Sequence, residues 1–250
     1  MAGHSKWANI KHKKAREDAK KGKIWSKCSR AIMAAAKNGG GDPETNIALR
    51  YAIDEAKSAN MPKDNIEYAI KRGTGEAAGA ASFEEVRYEG YGPGGVAMMV
   101  DGLTDNRNRT ASEVRKIFDR HNGNLGESGC VSFQFEKKGQ IFLPKTQVEE
   151  ESLMDTALEA GAQDVADEDE YWLVTTDPQD FMSVKEAIDT AGLEPESASV
   201  TMVPLNTVQC AGEDAEKVLK LIDALEDNDD VQHVYANFEI PDEVMATLDQ

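Results

Sequence analysis

The chain has 250 residues, 40% of them apolar and 30% charged, an ordinary profile for a soluble protein and enough length for one to three domains. Its 46 Asp and Glu outweigh 28 Lys and Arg, for a net charge of −18. No run approaches the roughly 18 apolar residues of a bilayer span, and the three cysteines (Cys28, Cys130 and Cys210) are too scattered for a disulfide framework or a metal knuckle, so a reducing cytoplasm is the expected compartment.

The opening MAGHSKWANIKHKK is charged but lacks an apolar stretch, so no secretory signal is expected, and Ala2 stands where N-myristoylation requires glycine. Residues 8–21 are mostly helix formers and stop before Gly22. A second helix is expected over 24–37, ended by Asn38-Gly39-Gly40-Gly41. Asp42-Pro43 has the form of an N-cap followed by proline at the first helical position, which predicts a helix through Ala59. Pro62 opens a shorter helix, Lys63 to Arg72, closed by Gly73.

After the small-residue linker 75–81 the period changes. Phe83 to Glu89 and Val96 to Val100 predict two strands joined by Gly90-Tyr91-Gly92-Pro93-Gly94-Gly95. Thr110-Ala111-Ser112-Glu113 has the form of a capping box, for a helix running to about His121, and 123–135 reads as strand. Strands at 140–143, 164–165, 171–175 and 198–203, with helices at 148–160 and 178–191, give the order βαββαβ of a ferredoxin-like domain. A strand at 205–210, a helix at 213–225 and a strand at 231–238 are too few for a domain, but they would complete the sheet begun at 82–135. The expected fold is therefore multidomain α+β. A basic helical domain covers 1–79, an α+β domain covers 80–137 plus 205–250, and a ferredoxin-like domain is inserted at 138–204.

Charge is divided unevenly along this plan. Residues 1–37 hold eleven cations, Lys6, Lys11, Lys13, Lys14, Arg16, Lys20, Lys21, Lys23, Lys27, Arg30 and Lys37, against Glu17 and Asp18. Residues 76–250 hold 12 basic and 38 acidic residues. Such a molecule approaches a polyanion with its basic end first. On the helix 24–37, Ile24, Cys28, Ala31, Ile32 and Ala35 share one face, and Lys23, Lys27, Arg30 and Lys37 form a separate ridge with no carboxylate of its own. The functional reading is contact with phosphate backbones and release of counterions. The bland reading is a solvated helix, but solvated faces usually mix both signs. Trp7 reads equally as a base-stacking group and as a hydrophobic staple.

Asp105-Asn106-Arg107-Asn108-Arg109-Thr110 precedes a helix and offers two readings, an anion site built on Arg107 and Arg109 or a polar turn whose arginines pair locally. The glycine-rich turn 90–95 lacks the Gly-Lys-Ser/Thr of a P-loop. No catalytic set is expected, because His4, His12, His121 and His233 are scattered and Cys130 has no evident base. No metal site or cofactor is expected either, and Asp167-Glu168-Asp169-Glu170 lacks calcium-loop spacing.

Several long segments carry a family likeness: GHSKWANIKHKKA at 3–15, AAKNGGGDP at 35–43, NMPKDNIE at 60–67, RGTGE at 72–76, YEGYGPGG at 88–95, DNRNRT at 105–110, NLG at 124–126 and MVPLNTV at 202–208. Together they resemble the YebC family over essentially the whole chain. The resemblance implies the same three domains and a probable DNA-binding transcriptional regulator. It also brings in relatives that act in translation on the ribosome, among them the mitochondrial translational activator of cytochrome c oxidase. Departures are local: Trp25-Ser26 in place of a usual Phe-Thr, Cys130 in place of Ser, and His121-Asn122 before Gly123 in place of Gly-Gly.

The expected function is thus non-enzymatic regulation of gene expression in the cytoplasm through the basic N-terminal domain, with no membrane and no small-molecule substrate. The alternative target to DNA is ribosomal RNA on the ribosome. A second alternative is a protein-interaction module that docks a basic partner through its acidic ferredoxin-like domain.

Overall fold

The structure, a computed structural model, describes residues 21–77 and 83–240. These residues fall into two compact units, 134–207 and the remainder.

The larger unit begins with three helices: α1 (Lys21–Gly39), α2 (Ile47–Ser58) and α3 (Lys63–Thr74). Helix α1 packs on both others. Its apolar positions recur at three- and four-residue steps, so Cys28, Ile32, Met33 and Ala36 turn inward to meet Leu49, Ala52, Ala56, Met61, Ile66 and Ala69. Gly73 lets α3 approach α1 closely, since a Cβ there would lie 2.6 Å from the Met33 carbonyl oxygen. The helix expected from Asp42-Pro43 starts later, at Ile47. Asp42 closes a separate turn by accepting the Glu44 N–H, and the cap is the buried Asn46. The Asn46 side chain accepts from Leu49 N and donates to the carbonyls of Ala35 and Gly40, tying the end of α1 to the start of α2.

The same unit continues as a four-stranded sheet in which Asn124–Leu125 (β3), Glu84–Tyr91 (β1), Ala97–Thr104 (β2) and Val231–Ala236 (β9) follow one another in that order. Strands β1 (Glu84–Tyr91) and β2 (Ala97–Thr104) form an antiparallel hairpin, β3 is the two-residue Asn124–Leu125, and β9 (Val231–Ala236) lies antiparallel to β2. The elements that follow the insertion therefore do complete the sheet, as the pattern predicts. Helices α4 (Arg107–Arg120) and α7 (Gly212–Glu226) pack on each other, α4 against β1 and α7 against β9. Phe118 and Leu221 are among the fully buried side chains. Strands β8 (Val208–Gln209) and β10 (Phe238–Glu239) form a short parallel pair.

Two further expectations in this unit fail for physical reasons. Helix α4 starts at Arg107 with Asn106 as its cap, so Thr110 lies inside the first turn, with its hydroxyl drawn to buried partners rather than to a capping box. Of residues 123–135, only Asn124–Leu125 and the terminal Phe135 are strand. The buried Glu89 carboxylate accepts the N–H groups of Gly129, Val131 and Ser132, which folds that stretch into a loop.

The unit 134–207 runs β4 (Phe135–Pro144), α5 (Glu150–Glu159), β5 (Ala162–Glu168), β6 (Tyr171–Thr176), α6 (Phe181–Thr190), β7 (Ser197–Pro204). Its sheet order is β5-β6-β4-β7, all antiparallel, which is the ferredoxin-like arrangement. The alternation of Tyr171–Thr176 buries Trp172, Val174 and Thr176, and α6 presents Phe181, Val184 and Ile188 at helical spacing. The first strand opens at Phe135, paired with Pro204.

Candidate nucleic-acid interface

The turn between α7 and β9, Asp227-Asn228-Asp229-Asp230, organises the charged groups of the larger unit. Asp230 is only 5% exposed. Its Oδ2 lies 2.6 Å from Arg109 Nη2, 2.7 Å from Thr110 Oγ1 and 3.2 Å from Thr104 Oγ1, and its Oδ1 accepts from Arg30 Nη1 at 3.0 Å. One carboxylate thus joins α1, β2 and α4. Burial alone would raise the Asp230 carboxyl. Hydrogen bonds from Arg109 and Thr110, with the charges of Arg109 and Arg30, more than offset that and hold it below the ordinary range.

The three ridge cations nearest this turn are occupied. Lys23 Nζ donates to the Asp227 carbonyl and lies 3.1 Å from its carboxylate. Lys27 Nζ donates to the Glu226 carbonyl at 2.8 Å, and Arg30 reaches the Asp229 carbonyl as well as Asp230. The last carbonyls of a helix lack partners within it and carry the negative end of its dipole. Cations projecting from α1 satisfy those of α7. Lys23, Lys27 and Arg30 therefore form a seam between α1 and the turn that follows α7. Lys37 lies in the last turn of α1 and is exposed.

Beside the seam lies a cleft of about 500 Å³ lined by Arg30, Phe83, Asp105, Arg109, Glu113 and residues 227–230. Five carboxylates face two guanidinium groups there, an environment that repels phosphate. Arg109 is paired with Asp230 and with Asp105 at 2.9 Å, so it follows the local-pairing reading of the 105–110 segment. Arg107 is 69% exposed, with its nearest carboxylate, Glu84, at 4.0 Å.

Lys6, Trp7, Lys11, Lys13, Lys14, Arg16 and Lys20 lie outside the described residues; Lys21 is the first residue of α1. Sequence reasoning missed Asp230 and its threonine partners. The run Glu226-Asp227-Asn228-Asp229-Asp230 is the one signal that could have exposed them, as an acidic complement to the basic helix. Burial raises the thiol pKa of all three cysteines, with added repulsion from Glu55 at Cys28, Glu89 at Cys130 and Asp214 at Cys210; Cys28 is pushed up to about 12. Among the described residues, no group of three or more His, Cys, Asp and Glu is placed to hold a metal ion, and no helix is long and apolar enough to cross a membrane.

A helical bundle joined to a split α+β domain, with a ferredoxin-like domain threaded into the split, defines a class of multidomain α+β protein. This chain belongs to the YebC family: residues 5–76 match the "TACO1/YebC protein N-terminal domain" and residues 83–238 the "TACO1/YebC second and third domain". It is 58% identical over 248 residues to a "Probable transcriptional regulatory protein" of Geotalea uraniireducens, covering 99% of this chain and 100% of that one. A protein of the same description from Dictyoglomus turgidum is 58% identical over 249 residues, with the same coverage. The crystal structure of a conserved hypothetical protein, Aq1575, from Aquifex aeolicus superposes with a TM-score of 0.83 at 54% identity, over 96% of this chain and 98% of that one.

Proposed function

We propose that this protein is a non-enzymatic regulator of gene expression that holds the phosphate backbone of nucleic acid, DNA in the first place, with its basic N-terminal segment. One observation carries the reading: eleven cations against two acids in residues 1–37 of a chain whose net charge is −18. The described structure refines it. Lys23, Lys27, Arg30 and Arg109 are matched by the turn after α7. The backbone contact therefore falls first to Lys6, Lys11, Lys13, Lys14, Arg16, Lys20 and Lys21, with Trp7 to stack and Lys37 and Arg107 in support. The names of the relatives, probable transcriptional regulatory proteins, favour DNA.

Ribosomal RNA in the ribosome is the second reading, because a lysine-dominated contact reads backbone rather than base edges and serves either polymer. The third is docking on a basic protein through residues 134–207, which hold 17 acidic and 4 basic residues. The deciding experiment compares binding of the full chain to ribosomes, to random duplex DNA and to defined promoter duplexes at matched salt. Saturable preference for one duplex sequence is expected on the first reading. Co-sedimentation with ribosomes at low salt and release at high salt, without duplex preference, moves the assignment to the second. Ribosome binding that persists when Lys11, Lys13 and Lys14 are changed to Gln moves it to the third.

A further inference from the structure

A strand at the edge of a sheet offers a row of unpaired N–H and C=O groups to any other strand. Folded proteins blunt such edges with short length, charge, a bulge or a proline. Three of the four edges in the two four-stranded sheets follow that habit. Strand β3 is two residues long, and the pairing of β9 shifts register between Asp101 and Gly102. Strand β5 carries Asp164, Asp167 and Glu168 and has a register shift between Ala162 and Asp164. Strand β7 breaks the habit. Its eight residues, Ser197–Pro204, include no charged side chain, pair with β4 without a register shift and meet proline only at the last position.

Leu205 N donates to the Gln134 carbonyl at 2.8 Å, continuing the register that pairs Phe135 with Pro204. The alternation of an antiparallel ladder then decides which groups are spent. Ser197, Ser199, Thr201 and Val203 turn their N–H and C=O groups to β4. Those of Ala198, Val200 and Met202 point away from the sheet, and among the described residues they have no hydrogen-bond partner. Of the strand's side chains only Ser199 is exposed, so little stands in the way of a second backbone.

We propose that the free edge of β7 takes up an extended, cationic segment of a partner protein as a fifth strand of the 134–207 sheet. The inference rests on the third reading above, docking on a basic protein, and not on the contact with nucleic acid. Main-chain bonds to a sheet edge supply affinity with little regard to side chains. Charge then selects the occupant. Residues 134–207 hold 17 acidic and 4 basic residues. Glu194 and Glu196 stand exposed just before the strand, and among the described residues neither carboxylate is ion-paired. A cation at the end of the incoming strand has these two acids to meet. A second copy of this chain would bring the same excess of negative charge to the junction, where like charges oppose pairing.

The test adds a short peptide of alternating Val and Lys to the full chain and follows amide hydrogen exchange residue by residue. A peptide of alternating Val and Glu is the control. The Lys peptide is expected to slow exchange at Ala198, Val200 and Met202 by about tenfold or more, with no matching change along β5, and the Glu peptide to leave them as they were. Val200→Pro removes an outward N–H and none that faces β4, so it should abolish the protection, while unchanged exchange at Ile141 and Val174 reports a folded sheet. If that variant does not fold, Ser199→Lys and Ser199→Glu carry the same test, the first weakening the effect of the Lys peptide and the second strengthening it. No slowing at the three amides, or equal slowing by both peptides, overturns the inference. Slowing confined to other amides of 134–207 overturns the edge and leaves the third reading standing. Protection of the same three amides that grows with protein concentration in the absence of peptide gives the edge to a second copy and overturns the cationic occupant. None of these outcomes touches the binding of nucleic acid by the N-terminal segment.

Discussion

On α1, Lys23, Lys27 and Arg30 point at the end of α7 and are met there by carbonyls and carboxylates. On α4, Arg115, Lys116 and Arg120 point into solvent and are met by nothing in the described structure. Each helix has an apolar stripe, and each is cationic on another face. The two sets of charges nevertheless sit in different surroundings, one held against the turn after α7 and the other turned to solvent. A count of charges along a helix therefore says little until the opposing surface is known, and for α1 that surface comes from about 200 residues downstream.

The seam is most vulnerable at Asp230. Replacing it with alanine removes the acceptor of Arg30 and Arg109 and leaves two guanidinium groups facing an acidic cleft without their buried partner. The expected loss of stability is about 2–3 kcal/mol, read from the denaturant midpoint. A midpoint unchanged from the parent would mean that the seam is not what holds α1 in place. Next in size is Glu89→Ala, which strips the acceptor from three backbone N–H groups and should cost about 1–3 kcal/mol by the same measurement. Unlike Asp230, Glu89 hydrogen-bonds to Gly129, Val131 and Ser132 rather than to α1, so its loss should weaken the 126–132 loop without touching the seam.

pH gives a graded version of the same test. For both Asp230 and Glu89, burial raises the carboxyl but hydrogen bonds outweigh it, so both are lowered in the folded protein from ordinary values of 3.8 and 4.5. A lowered folded value means stability that is fully present above the ordinary range and is lost as pH falls through the folded value. The thermal midpoint should therefore drop as pH is lowered below about 4, and Glu89→Gln should flatten part of that drop. A midpoint that held or rose over the same interval would contradict the assigned shifts. The smallest effect is expected from Lys23→Gln. Its carboxylate partner, Asp227, is 79% exposed, and exposed pairs contribute about 0–1 kcal/mol. A loss as large as that of Asp230→Ala would show that the seam does not depend mainly on its buried carboxylate.

Much of the fold is written in local pattern. The ferredoxin-like insertion is legible because Tyr171–Thr176 alternates and Phe181, Val184 and Ile188 recur at helical spacing. Strands β2 and β9 are each readable as strands, and because the last three elements are too few for a domain of their own, their joining the earlier sheet is legible too. Cap positions were harder. Asp42-Pro43 has every local mark of a helix start, yet Asn46 wins because its buried amide also binds two carbonyls at the end of α1. Thr110 looked like a cap until Asp230 claimed its hydroxyl. The stretch 123–135 looked extended, but a single buried carboxylate, Glu89, reshapes it. In each case a polar group distant in sequence outweighed the local preference. The candidate site divides in the same way. Its cations were visible one by one, whereas their pairing at Asp230 and the unpaired face of α4 depend on which surfaces meet.

In the proposed function the N-terminal segment meets nucleic acid, while Lys23, Lys27 and Arg30 of α1 are spent on the protein itself. Two triple variants of equal charge test it most directly, Lys11→Gln/Lys13→Gln/Lys14→Gln and Lys23→Gln/Lys27→Gln/Arg30→Gln, each titrated with salt against the same DNA duplex. The first should flatten the log–log slope by about 2–3, and the second should leave it within about 1 of the parent while lowering the denaturant midpoint. The reverse pattern, with the slope lost in the ridge variant and kept in the N-terminal one, would contradict it.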